Sequence, residues 1–191
     1  SLVSNLKTRR DLELAQASFG QGIALTPIIT VRALSALANG GTLITPHLVK
    51  EIRYELGPTK NVLYPREEER ERVLSPETSA EISRMLTEVV DRSLRGGEVR
   101  LDNYSIAAKT GTAQIAKPGG GGYYDDRYLH SFFGYFPSYE PEFLIFLYTY
   151  NPKGVKFASE TLTDSFMNIT KFLINYYNIP PDREAPPPAR N

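Results

Sequence analysis

The short segment Pro137–Pro141 separates two apolar runs, Leu129–Phe136 and Phe143–Asn151. A connection of that length cannot carry the chain across a sheet between parallel strands, so the two runs predict an antiparallel hairpin. Phe143–Asn151 is apolar almost throughout, which predicts a central strand covered on both faces. Tyr104–Gln114 (YSIAAKTGTAQ) reads as a third strand, joined to the hairpin by AKPGGGGYYDDR, a Gly-rich stretch expected to be a long flexible loop. Helices surround these strands. Thr26–Pro27 starts one, with a hydroxyl cap and Pro where its missing N–H costs nothing. Ile28, Val31, Leu34, Ser35 and Ala38 then recur at helical spacing until Asn39–Gly40–Gly41 stops the run, predicting a helix over 27–38. Ser75–Pro76–Glu77–Thr78 starts a second helix, with Ile82, Met85, Leu86, Val89 and Val90 as its expected buried stripe, ending near Ser93–Gly97. A last amphipathic helix, Ser159–Tyr176, presents Leu162, Phe166, Ile169, Phe172, Leu173 and Tyr176 on one face. His47–Glu55 alternates as a strand does; residues 1–15 are polar and read as the middle of something longer, with Asn5–Arg10 as a connecting loop. The pattern is α+β: an antiparallel β-sheet covered by helices over 1–179, followed by a Pro-rich tail, 180–191, expected to be disordered.

Composition removes whole classes of function. The 22 basic and 22 acidic side chains cancel, so no electrostatic case exists for nucleic acid or an anionic membrane surface. With no Cys, there are no disulfides, thiolate metal sites or Cys nucleophiles, and a Cys-free chain suits export. His47 and His130 lie too far apart for a local metal motif, so neither a metal nor a cofactor is expected. No apolar run reaches the roughly 18 residues of a membrane span.

Chemistry concentrates at Lys109–Thr110–Gly111–Thr112. Strand alternation puts Lys109 and Gly111 on one side, Thr110 and Thr112 on the other. A cation beside hydroxyls on a rigid strand suits a carboxylate: the ammonium supplies field and the hydroxyls supply directed hydrogen bonds. Gly inside a strand points to close approach by another backbone or a ligand. A peptide laid along such an edge gains main-chain hydrogen bonds as an added strand, and a backbone N–H near Thr112 could face a developing oxyanion. The tetrapeptide by itself fits an ordinary strand with an exposed Lys and a bulge at Gly better.

Context separates the two. AAKTGTAQ resembles the Lys-Thr-Gly motif of penicillin-binding proteins and serine β-lactamases. SFGQGIALTPIITVRALSALANGGTLITPHLV is similar to the segment preceding it in penicillin-binding transpeptidases, and its S-F-G-x-G form points to the monofunctional class B group. RGGEVRLDNYSIAAKTGTAQ, HSFFGYFPSYEPEFLIFLYTYNP and the last helix also resemble that family, in order, over residues 15–177. The resemblance implies a serine D-Ala-D-Ala transpeptidase. Lys109 would act in the proton network around the nucleophile. Thr110 and Thr112, with Gly111 between them, would hold the terminal carboxylate of a peptidoglycan stem peptide or a β-lactam. The Thr112 N–H would form one arm of the oxyanion hole, and Gln114 would contact bound ligand. The family further implies action outside the cytoplasmic membrane and a membrane anchor upstream. As partners it implies the N-terminal part of the same domain and a membrane glycosyltransferase.

Two family motifs are not met. The sequence contains no S-x-N, and its S-x-x-K string, Ser4–Asn5–Leu6–Lys7, falls just before S-F-G-x-G, past the point where the family carries its nucleophile. This stretch therefore supplies the Lys-Thr-Gly strand without the acylated Ser, and alone is expected to be inactive. The alternatives are a non-catalytic peptidoglycan-binding or scaffold module and a class A or β-lactamase relative. Gly119–Gly122 reads as a connector because no helix or Lys–Ser/Thr pair follows it. His130 reads as structural, Tyr123, Tyr124 and Tyr128 as packing, and Asp125–Asp126 and the Arg66–Arg72 charge run as solvated.

Overall fold

A computed structural model of the chain describes residues 7, 10–18, 20–62 and 71–184. Ser4–Leu6 of the S-x-x-K string, Phe19 of S-F-G-x-G, residues 66–70 of the charge run and 185–191 of the tail lie outside these. The elements run α1 (Asp11–Ser18), α2 (Pro27–Ala38), β1 (Glu51–Ile52), β2 (Lys60–Asn61), α3 (Pro76–Glu88), β3 (Ala107–Ala116), β4 (Tyr123–Phe136), β5 (Phe143–Tyr150), α4 (Ala158–Thr161) and α5 (Thr163–Tyr177). Strands β3, β4 and β5 form one antiparallel sheet in that order, and β1 pairs with β2 separately. This is the α+β arrangement of helices over an antiparallel sheet.

The register divides the sheet into two faces. Thr112 lies opposite His130, Thr110 opposite Phe132 and Ala108 opposite Gly134, and this set faces α4 and α5. Lys109 lies opposite Phe133 and Gly111 opposite Ser131, on the face turned to α2. On the α5 face Phe166 is fully buried and stacks on Phe132 at 4.4 Å between ring centroids. Burial of one such ring contributes about 1.5–3 kcal/mol. The ring reaches the sheet because position 134 has no side chain. A Cβ there would sit 2.5 Å from Phe166 Cζ, 2.7 Å from Ala108 Cβ and 2.9 Å from the Ala107 carbonyl oxygen.

The other face is held by hydroxyls. Ser75 caps α3 by accepting from Thr78 N–H at 3.1 Å, as the sequence predicts. The buried stripe of α3, however, is Ser79, Ser83, Thr87 and then Val90, while Met85 is 52% exposed. Small side chains let α3 approach α2 and the sheet closely, and the local geometry explains why hydroxyls are tolerated. Leu37 sits in the last turn of α2, where carbonyls lack helical partners. Its oxygen accepts from Ser79 Oγ at 2.7 Å. Ser83 Oγ and the Tyr135 hydroxyl meet at 2.8 Å, and Thr87 Oγ1 donates to Ser138 Oγ at 2.8 Å. Burial pushes the Tyr135 hydroxyl above its usual pKa, partly offset by the bond to Ser83.

Several expectations are corrected. Among the described residues β5, expected to be central, lies at the edge of the sheet, with β4 in the middle. Its apolar residues are half-buried, and its outer edge has no strand partner among the described residues. The expected flexible loop 116–127 is closed by Ala116 pairing with Tyr123 and by Lys117 N–H donating to the Gly122 carbonyl at 2.8 Å, and β4 begins at Tyr123. Tyr124 is flanked there by Arg127 at 4.1 Å from its ring centroid and by Lys117 at 5.8 Å. Among the described residues, β structure in the 47–65 region shrinks to the β1–β2 pair, and a short helix over Asp11–Ser18 follows the expected connecting loop Asn5–Arg10, most of which lies outside the described residues. The Thr26 side chain makes no capping bond to α2, whose start rests on Pro27. In α5 the buried set is Thr163, Phe166, Met167, Thr170 and Ile174, leaving Ile169, Phe172 and Tyr176 exposed. α5 is apolar around much of its circumference, so periodicity could not choose the face.

The folded unit also extends past 179. Asp182 accepts from Ser105 N–H at 2.7 Å and from Ser105 Oγ, and Arg183 pairs with Asp91 at 2.8 Å. These bonds pin the chain against the entry to β3. Two substitutions test the packing, read as urea-denaturation midpoints of the intact protein. Gly134→Ala is predicted to cost about 1–3 kcal/mol by overpacking. Asp182→Ala, by stranding the Ser105 donors, is predicted to cost about 1–2 kcal/mol. An unchanged midpoint for either would contradict the contact assigned to it.

Candidate functional site

The outer edge of β3 has no strand partner among the described residues, so the strand carrying Lys109–Thr112 is open on one side. Both faces of the strand are accessible from that edge. Lys109 is exposed, and its Nζ donates to the Thr110 carbonyl at 2.9 Å. Thr110 is half-buried and Thr112 exposed on the opposite face, the alternation the sequence predicts. A ligand lying along the edge therefore meets a cation from one face and hydroxyls from the other.

Gly111 has a local cause. A Cβ at this position would lie 2.5 Å from Ser131 Oγ on β4, so the missing side chain makes room for a neighbouring strand's hydroxyl. Behind Lys109 and Gly111, between α2 and the sheet, lies a cavity of about 530 Å³ whose wall includes Leu34, Ser131, Phe133 and Phe146. A second hollow of about 480 Å³ continues along Gln21–Ala24 and Ala113–Ala116, sharing Gly20, Ile23, Ala113 and Leu129 with the first. The groove thus follows β3 from Lys109 to its bulge between Gln114 and Ala116.

On the other face, Thr112 Oγ1 accepts from Ala158 N–H at 3.0 Å, satisfying a donor in the first turn of α4. Its cross-strand partner His130 is fully buried. The His130 Nδ1 lies 2.9 Å from Thr161 Oγ1, and Nε2 lies 2.9 Å from the Lys156 carbonyl. With Nε2 carrying a hydrogen the ring donates to the Lys156 carbonyl, while the Thr161 hydroxyl beside Nδ1 also lies 3.2 Å from the Ala158 carbonyl, to which it can donate. His130 is thus structural, as expected, yet it sits directly behind Thr112. Gln114 turns back into the hairpin, where Nε2 donates to the Tyr124 carbonyl at 3.2 Å.

The sequence reading brought out Lys109–Thr112 but missed Ser131, Ala158, Thr161 and the groove wall from α2. Ser131 and Thr161 carry no motif, and Ala158 contributes only a backbone N–H. The pairing of His130 with Thr112 follows from hairpin register, which was the one available signal.

The penicillin binding protein transpeptidase domain model matches residues 3–170. Stage V sporulation protein D of Bacillus subtilis is 37% identical over 145 residues, covering 75% of this chain and 22% of that protein. Penicillin-binding protein PbpB of Mycolicibacterium smegmatis is 30% identical over 177 residues, covering 88% of this chain and 27% of that protein. Among solved structures, penicillin binding protein 3 of Mycobacterium tuberculosis in complex with ampicillin superposes with a TM-score of 0.73 at 29% identity, over 90% of this chain and 38% of that one. The chain spans less than a third of the length of these two curated relatives. An open strand bearing Lys-Thr-Gly-Thr, a groove along it and a match across most of the sequence place the chain in the penicillin-binding protein transpeptidase domain family.

Proposed function

We propose that this chain supplies the carboxylate-binding edge of a peptidoglycan D,D-transpeptidase. The observation that carries the reading is the edge of β3, unpaired among the described residues, with Lys109 exposed on one face and the Thr112 hydroxyl on the other. Two further findings support it. The related protein of Mesostigma viride is named a peptidoglycan D,D-transpeptidase FtsI homolog, at 32% identity over 91% of this chain and 31% of its own length. The similar M. tuberculosis protein was solved with ampicillin bound.

In this reading the stem peptide lies along β3 as an added strand, its terminal carboxylate held by the Thr110 and Thr112 hydroxyls in the field of Lys109. A Ser supplied by the N-terminal part of the domain attacks the penultimate D-Ala carbonyl. The Thr112 N–H holds the developing oxyanion, and Lys109 belongs to the proton network that activates the Ser. The C–N bond to the terminal D-Ala breaks and D-Ala leaves. An amine of a neighbouring stem peptide then attacks the acyl-enzyme ester and releases the Ser. β-Lactams enter the same cycle but stop at an ester that hydrolyses slowly. Gln114 reaches ligand through the oxygen it does not use in the hairpin.

The apolar outer edge of β5 and the exposed Phe172 and Tyr176 on α5 fit contacts with the N-terminal part of the same domain. The substrate places the activity outside the cytoplasmic membrane. The reading includes a membrane anchor upstream of this stretch; among the described residues no helix is long and apolar enough to cross a membrane.

The test is covalent labelling of the full-length protein with a fluorescent penicillin, read on a denaturing gel. Wild type is expected to label and Lys109→Ala to lose labelling by at least about a hundredfold, the scale of a lost acid–base group. Undiminished labelling of Lys109→Ala would remove that residue from the mechanism, and an unlabelled wild type would favour a reversible peptidoglycan-binding module.

A further inference from the structure

We infer that His130 is a positioning residue for ligand carboxylate recognition. It latches residues 156–161 onto the sheet so that Ala158 N–H occupies the back of the Thr112 hydroxyl and turns its hydrogen toward the ligand. This rests on the reading of Thr112 proposed above.

The geometry forms a closed frame. His130 and Thr112 are cross-strand partners and project to the same face. From beneath, His130 grips both flanks of the turn that leads into α4, the Lys156 carbonyl on one side and the Thr161 hydroxyl on the other, each at 2.9 Å. Ala158 lies between those two anchors, and its N–H donates to Thr112 Oγ1 at 3.0 Å. Phe157 N–H, next in the frame, is held by Glu160 Oε2 at 3.0 Å.

A threonine hydroxyl has one hydrogen and two lone pairs. With one lone pair filled by Ala158 N–H from the protein side, the hydroxyl is polarised as a donor and its hydrogen is left for the exposed side. A carboxylate is an acceptor-only partner and takes that hydrogen in a charge-assisted bond. If residues 156–161 lift away, the hydroxyl regains its rotor freedom and can donate to protein carbonyls instead. The ligand then loses one directed bond, while the field of Lys109 on the opposite face is untouched. His130 touches neither ligand nor reacting atoms and acts entirely through Thr112.

The readout is a ratio that general destabilisation does not move. Second-order acylation rates of the full-length protein are measured with a penicillin bearing its free carboxylate and with the methyl ester of the same compound. The variants are His130→Asn, which keeps a polar group in the buried site, and Thr161→Val, which removes the hydroxyl on Nδ1 at nearly constant volume. Each is expected to slow the carboxylate compound on the order of tenfold, the value of one hydrogen bond to a charged group, and the ester less than about twofold. Adding Thr112→Val to Thr161→Val is expected to cause little further loss, because both act on the same bond. Equal losses for acid and ester, or no loss for either, would overturn the positioning role while leaving the transpeptidase reading intact. A wild-type protein that is acylated by neither compound, or equally by both, would overturn both.

Discussion

The central strand β4 is gripped from its two sides by unlike forces, and the geometry of the site descends from that. On one face Gly134 lets the Phe166 ring lie directly on the sheet, an apolar contact with no room for a methyl group. On the other, Tyr135 reaches Ser83 of α3, in a layer where the orphaned Leu37 carbonyl of α2 is satisfied by Ser79. The first contact contributes area removed from water and is indifferent to angle. The second contributes direction, because each hydroxyl has a fixed number of partners. Together they place β4 in depth and in rotation, and β3 inherits both through its register with β4.

Alternation then sorts the chemistry. Even-numbered positions of β3 near the site look toward α4 and α5, where Thr112 meets the start of α4. Odd-numbered positions look toward α2, where Lys109 and Gly111 border the groove. A one-residue slip would exchange the two sets. The cross-strand fits of Gly111 with Ser131 and of Ala108 with Gly134 guard against that slip, because each tolerates almost no added volume. The tail bonds of Asp182 to Ser105 hold the strand at its entry.

Features governed by local chemistry were legible in the sequence. Ser75 and Pro76 mark the start of α3, Asn39–Gly40–Gly41 marks the end of α2, and Pro137–Pro141 marks the hairpin. The failures share one cause: periodicity reports which side chains can be buried, not what they are buried against. Ser79, Ser83 and Thr87 look solvent-facing until the facing partners are known to be a carbonyl and hydroxyls. β5 is apolar on both faces yet lies at the sheet's edge among the described residues, since neighbours along the hydrogen-bonding direction leave no trace in composition. At the site the motif residues were legible because Gly beside Lys is uncommon inside a strand and because the flanking segments resemble the family's in order. Their supports were not, since Ala158 acts through its backbone and Ser131 through its proximity to a missing side chain.

An unpaired strand edge is ordinarily a hazard, since any extended chain can add to it. Here the open stretch is bounded. Lys109 stands exposed near its start, and at the far end the register breaks between Gln114 and Ala116 just before Lys117. A charge opposes stacking by another copy of the same strand, and a bulge ends the ladder that an added strand would follow. What remains is short, flanked by cations and faced with hydroxyls, so it favours an extended partner that ends in a negative charge over one that continues. In the proposed reading, the charge and the bulge that oppose edge-to-edge pairing are also the features that would favour a peptide terminus.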